Sequence, residues 1–126
     1  MKELKAGIIG NDEVIVTEAN TAAAMGSGTL PVFATPALGE KTAQESVQDA
    51  LEEGCGSVGT MICAKHVSAT PVGMKVTCQS ELVAVEGRKL LFKITASDAC
   101  GVVGEADHER FIIQNEKFLK KANSKN

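Results

Sequence analysis

Glu40 and His66 are the two residues whose sequence surroundings best suit them to chemistry. Glu40 lies on a segment that reads as an amphipathic helix from about Pro36 to Glu53. At about 100° per residue, Ala43, Val47, Ala50 and Leu51 fall on its side. Lys41, Thr42, Glu45, Gln48, Asp49, Glu52 and Glu53 occupy the opposite side. A carboxylate on a core-facing stripe is unfavourable unless it is paired or put to use. The structural alternative is a place at the edge of the stripe in the first turns, favoured by the helix dipole. His66 shares a strand face with Thr60, Ile62 and Ala64, as either a satisfied core histidine or an acid–base group. The chain has only two histidines, which concentrates any proton-transfer role on them. The other, His108, shares a face with Ala106, Arg110 and Ile112, while Asp107, Glu109 and Phe111 take the other. That charged cluster reads as a solvated face or a cross-strand ion pair. No cysteine has a neighbourhood that would activate it as a nucleophile.

The elements that must hold these groups follow from periodicity and punctuation. Thr35 suits the N-cap of the helix, Pro36 its first position and Gly54 its stop. Before it, Val14 and Val16 alternate with Glu13, Ile15 and Thr17 as a short strand, after an apolar patch at Ile8-Ile9. Thr21 to Met25 reads as one helical turn broken by Gly26-Ser27-Gly28, which is a turn and not a phosphate loop. After Gly54 the period changes to 2. Strands are expected over Val58–Val67, Met74–Val85, Lys89–Asp98 and Val102–Ile113, with short hairpin connections after the second and third. In the third, Leu90, Phe92, Ile94 and Ala96 share a face and Lys89, Leu91, Lys93 and Thr95 the other. Glu116 to Lys125 reads as a basic tail or short helix. One strand, one long helix and a four-strand meander make an α+β pattern, a helix wrapped by an antiparallel sheet. Leu91 on the other face, together with the edge strands, would be covered by dimerisation.

Composition excludes several classes of function. A chain of 126 residues is expected to form one domain, 1–126. Its net charge of -3, the lack of a long basic run and the absence of Trp and Tyr argue against a nucleic-acid partner. Four cysteines without CxxC spacing or a histidine at ligand intervals argue against a metal and for free thiols in a reducing cytoplasm. No secretory leader or membrane-spanning apolar run is expected.

Five separated motifs carry a family resemblance that runs from about Glu13 to Leu119. They are Val32-Phe33-Ala34-Thr35-Pro36-Ala37 with Glu40-Lys41-Thr42-Ala43, Gly56-Ser57-Val58-Gly59-Thr60 through His66, Ala69-Thr70-Pro71-Val72-Gly73, Val85-Glu86-Gly87-Arg88, and Gly104 through His108-Glu109-Arg110. Together they resemble the fluoroacetyl-coenzyme A thioesterase-like hotdog proteins. The resemblance implies a hotdog fold, with an antiparallel sheet of about five strands wrapped around one central helix. It implies a homodimer or higher homo-oligomer that hydrolyses a short-chain acyl-coenzyme A at the subunit interface, with coenzyme A as part of the substrate and no cofactor. A non-catalytic acyl-coenzyme A binding or sensing hotdog protein is the alternative.

By the same resemblance, Thr35, Glu40 and His66 form the catalytic set, and Gly59, Arg110 and Phe33 lie beside the substrate. These residue types suit thioester hydrolysis. A positioned general base such as His66 is worth roughly 10²–10⁴ in rate. Glu40 can orient the imidazole, stabilise its cation or act on water, and Thr35 can attack or donate a hydrogen bond. Backbone N–H groups around Gly59 can hold the oxyanion. Two departures stand out. The Thr35–Glu40 spacing is about three residues shorter than the family pattern. The phenylalanine gate of the fluoroacetyl enzyme falls on Thr29 here, so fluoroacetyl selectivity is not carried over.

Overall fold

The computed structural model describes residues 3–17 and 37–125. The elements in order are β1 (Ile9–Ile15), α1 (Ala37–Gln48), β2 (Cys55–His66), β3 (Lys75–Glu86), β4 (Lys89–Asp98), β5 (Gly101–Gln114) and α2 (Asn115–Asn123). The helical turn expected at Thr21–Met25, the turn at Gly26–Gly28 and the Pro31–Thr35 approach to the helix lie outside the described residues. So does Pro36. β1 begins earlier than expected, at Ile9, because Ile9 to Ile15 pair residue for residue with Glu81 to Lys75.

The sheet has the order β1-β3-β4-β5-β2, with every neighbouring pair antiparallel. This corrects the four-strand meander. Two-residue links at 87–88 and 99–100 make β3, β4 and β5 adjacent, since a loop that short allows no other partner. The eight-residue link 67–74 carries no such compulsion and crosses the end of the sheet. Along it, the Val67 N–H donates to the Val103 carbonyl (2.9 Å), the Thr70 hydroxyl to Asp98 Oδ2 (2.9 Å) and the Gly73 N–H to the Val16 carbonyl (2.9 Å). β2 therefore lies at one edge against β5, and β1 at the other against β3.

Helix α1 packs on one face of this sheet, the α+β arrangement expected for a hotdog fold. It stops at Gln48, five residues before the expected Glu53. Just beyond it, the Ala50 and Leu51 N–H groups reach back only three residues, to the Val47 and Gln48 carbonyls. Leu51 stays buried in this tightened turn, so the apolar stripe outlasts the helix. Ala43 and Val47 pack with Cys78, Leu82, Leu90, Phe92 and Ile94 in the main core.

Thr42 is the exception to the expected pattern: it is buried, although the helical wheel placed it on the polar side. The reason is the closeness of α1 to β1. A Cβ added at Gly10 would lie 2.6 Å from Ser46 Cβ and 2.9 Å from the Thr42 carbonyl oxygen. Contact that close widens the buried arc to take in Thr42 and Ser46. Their hydroxyls donate to the Leu38 and Ala43 carbonyls of the same helix, both at 2.7 Å, which removes the cost of burying them. α2, after β5, has no buried residue, and no helix among the described residues is long and apolar enough to cross a membrane.

Leu82 is fully buried where β3 faces the helix. Leu82→Ala should destabilise the fold by about 2–5 kcal/mol through lost transfer energy and a cavity. Urea unfolding should show a lower midpoint with an unchanged slope.

Candidate active site

Three side chains from two elements converge over a glycine of a third. A Cβ added at Gly59 on β2 would lie 3.1 Å from His108 Cε1, 3.5 Å from Arg110 Nη1 and 3.6 Å from Glu40 Oε1. The missing side chain leaves a polar nook walled by an imidazole, a guanidinium and a carboxylate. Glu40 is half-buried in the first turns of α1, and Arg110 and His108 are buried on the helix side of β5.

Arg110 is held on three sides. Its Nε donates to Ser57 Oγ (2.8 Å), Nη2 to the Ser57 carbonyl (2.7 Å) and Nη1 to His108 Nε2 (3.2 Å). Burial pulls the guanidinium below its ordinary pKa and the nearby Glu40 charge pulls it back. It remains a cation at any working pH. His108 is fixed at its other nitrogen by the Met61 carbonyl (2.8 Å), and Phe92 packs against the ring at a centroid distance of 6.1 Å. Burial lowers the His108 pKa, the Met61 bond opposes that, Arg110 lowers it further and Glu40 raises it.

His66 lies elsewhere in the same chain. Gly59 pairs with Arg110 and His66 with Gly104, six residues apart on β5, which is on the order of 20 Å at the usual strand rise. His66 is exposed and helps to wall a narrow apolar cleft between α1 and the sheet, lined also by Leu38, Ile62, Cys78, Ile94 and Val103. Burial pushes the Cys78 thiol pKa up, which disfavours a thiolate there.

Gly59 and His66 nevertheless face the same side of the sheet. Seven residues apart, they belong on opposite faces by simple alternation. The register of β2 against β5 shifts between Gly59 and Met61, leaving Thr60 as a bulge. One extra residue reverses the alternation, so Gly59 before it and Ile62, Ala64 and His66 after it all turn toward the helix. Thr60 is anchored by its hydroxyl to the Glu109 carboxylate, which also sits 3.8 Å from Lys89 Nζ.

The structure thus brings Glu40, Gly59 and Arg110 together and places His66 apart from them. Thr35, Phe33 and Thr29 lie outside the described residues. The expectation of a solvated face or a cross-strand ion pair fails for His108 and Arg110, which are buried, and holds for Glu109, which lies 3.8 Å from Lys89 Nζ across the strands. Alternation sends Asp107 and Glu109 to the outer face and His108 and Arg110 inward, where His108 has only 1 % of its surface exposed.

Gly59→Ala should crowd the nook, because a contact at 3.1 Å obliges His108 to move. Overpacking of this kind is worth roughly 1–3 kcal/mol, and thermal unfolding should register that loss. Activity, if carried by this nook, should fall by about tenfold or more.

The family model for FlK, fluoroacetyl-CoA-specific thioesterase, matches residues 16–116. A fluoroacetyl-CoA thioesterase of Streptantibioticus cattleyicolor is 47% identical over 75 residues, 60% of this chain and 54% of that protein. The chain therefore spans about half the length of the curated relative it matches. A solved structure of FlK superposes with a TM-score of 0.91 at 34% identity, covering 99% of each chain. A FlK variant in complex with fluoroacetate and CoA gives 0.84 at 35% identity, over 91% of this chain and 99% of that one. A hot-dog-like protein from Thermanaerovibrio acidaminovorans shares the fold, with a TM-score of 0.87 at 21% identity over 95% and 91% of the two chains. With most of its length matched by the family model and its architecture matched throughout, the chain belongs to the FlK family of fluoroacetyl-CoA-specific thioesterases.

Proposed function

We propose that the protein hydrolyses a short-chain acyl-coenzyme A to the free acid and coenzyme A, as a homodimer whose active sites are shared between subunits. The observation that carries this reading is the convergence of Glu40 Oε1, Arg110 Nη1 and the His108 ring over Gly59. Among the described residues, the nook is walled by a carboxylate, a fixed cation and an imidazole whose two nitrogens already meet the Met61 carbonyl and Arg110, which leaves Glu40 as its one candidate base for water.

A second copy supplies the base. β2 is a twelve-residue edge strand, and such an edge is a template for pairing with another strand. Two copies of β2 running antiparallel about a two-fold axis at Cys63 would set Ile62 opposite Ala64 of the partner, faces matched. The same register sets the partner subunit's His66 opposite the Gly59–Thr60 bulge. Only because the bulge reverses the alternation does that imidazole fall on the nook's side of the sheet.

The chemistry follows from this arrangement. The partner's His66 takes a proton from water as the oxygen bonds to the acyl carbon. N–H groups around Gly59 receive the oxyanion, and Glu40 stabilises the imidazolium. The carbon–sulfur bond then breaks, and the proton held by His66 passes to the departing thiolate. Arg110 presents a fixed positive charge near Glu40 throughout. Thr35 and Phe33, which lie outside the described residues, are assigned by the family resemblance alone, Thr35 as a hydroxyl donor to the reacting group and Phe33 as a substrate-binding residue.

Purified protein should release free thiol from acetyl-, propionyl- or a related acyl-coenzyme A, and His66→Ala should lower turnover by roughly tenfold or more. Saturable coenzyme A binding without turnover across the panel would replace this reading with acyl-coenzyme A sensing. The shared site has its own test. Glu40→Ala and His66→Ala protomers, mixed and allowed to exchange, should regain about a quarter of wild-type activity, because half of the random dimers then hold one intact site of two. No recovery on mixing would place both groups' work within single subunits.

A further inference from the structure

We infer that His108 is a positioning residue of this site: a neutral hydrogen-bond acceptor that fixes Arg110 Nη1 against Glu40 over Gly59. The inference rests on the thioesterase reading and adds to it a residue that acts through Arg110. Its two ring nitrogens have partners of opposite kind. The Met61 carbonyl, 2.8 Å from Nδ1, can only accept, so Nδ1 carries the hydrogen. Arg110 Nη1, 3.2 Å from Nε2, can only donate, so Nε2 must present its lone pair. The ring is thereby committed to one uncharged tautomer.

The position of the bond matters more than its presence. Ser57 holds Nε and Nη2 of the guanidinium and leaves Nη1 to His108. Nη1 is also the nitrogen that faces the nook, 3.5 Å from where a Gly59 Cβ would stand. His108 therefore sets the angle of the group opposite Glu40. Protonation would place an N–H at Nε2 against the Arg110 N–H, breaking that bond and setting two cations together.

The groups facing the ring favour the neutral form. Arg110 faces it from β5 and Glu40 from α1. β2 contributes the Met61 carbonyl and β4 the uncharged Phe92. Burial and Arg110 lower the His108 pKa against the opposing pull of the Met61 bond and Glu40. The pocket should accordingly stay intact at neutral pH and let go of Arg110 only on the acid side of an ordinary histidine.

Two variants and one spectrum test this. In His108→Gln an amide can still donate to Met61 and accept from Arg110, without titrating. Its kcat/KM at neutral pH should stay within about threefold of wild type, while the acid limb loses one proton's worth of steepness. His108→Leu fills similar space with no acceptor, and kcat should fall roughly tenfold or more with a much smaller change in KM. Wild-type kcat for His108→Leu, or an acid limb unchanged in His108→Gln, would overturn the inference. Equal losses in both variants with an unaltered pH profile would overturn it too, as the mark of a merely structural role. Nitrogen-15 imidazole NMR of the wild-type protein decides without any turnover. The His108 signal should show the neutral Nδ1–H form at neutral pH, and its pKa should rise in Arg110→Met. An Nε2–H or charged ring at neutral pH would refute the inference, whereas an inactive protein with the expected spectrum would refute only the thioesterase reading.

Discussion

A strand turns every second side chain to the same face, and β2 breaks that rule once. The extra residue at Thr60 lets Gly59 and His66, an odd number of positions apart, both look toward the helix. Without it, one of them would point to the outer face, and no antiparallel pairing of edges could bring them onto one site. The bulge is secured from the outer face, where Glu109 binds the Thr60 hydroxyl and lies near Lys89 of β4. A surface interaction of little value to stability by itself thus lies on the outer side of the bulge that decides which β2 residues turn toward the helix.

Behind the bulge sits a buried cation. Taking a guanidinium out of water is unfavourable unless its donors are met, and Arg110 meets them with the Ser57 hydroxyl, the Ser57 carbonyl and His108. Each partner is itself held in place: Ser57 by the β2–β5 ladder, and His108 by the Met61 carbonyl and the face of Phe92. Glu40 supplies the opposing charge from the helix at slightly longer range. This is a preorganised arrangement, in which little has to move when charge develops nearby.

The helix owes its position to small residues. Gly10 lets α1 pass so close to β1 that Ser46 and Thr42 touch the strand, and Gly39 meets Ile94 in a similar way. With a bulkier residue at Gly10 the helix would be pushed off the sheet, carrying Glu40 away from Gly59. The distance that defines the nook is therefore set partly on the far side of the helix, by a position with no chemistry of its own.

Much of this was legible in the sequence, because it depends on neighbours along the chain. Hydrophobic alternation and two-residue turns specify β3, β4 and β5 as adjacent antiparallel strands, and a 3.6-residue stripe specifies a helix with Glu40 at its edge. The family motifs put Glu40, His66, Gly59 and Arg110 in one site; within the chain Glu40, Gly59 and Arg110 do meet, whereas His66 lies six residues farther along the β2–β5 ladder. What only the tertiary structure decided were matters that no local period encodes. A long link let β2 cross to the far edge instead of joining β3. A single bulge inverted the facing of everything after Thr60. His108, which reads as part of a charged surface strand, is a buried ring held between the Met61 carbonyl and Arg110. Contacts between residues far apart in the chain, such as His108 with Met61, have no signature in spacing, and those contacts set the chemistry of the site.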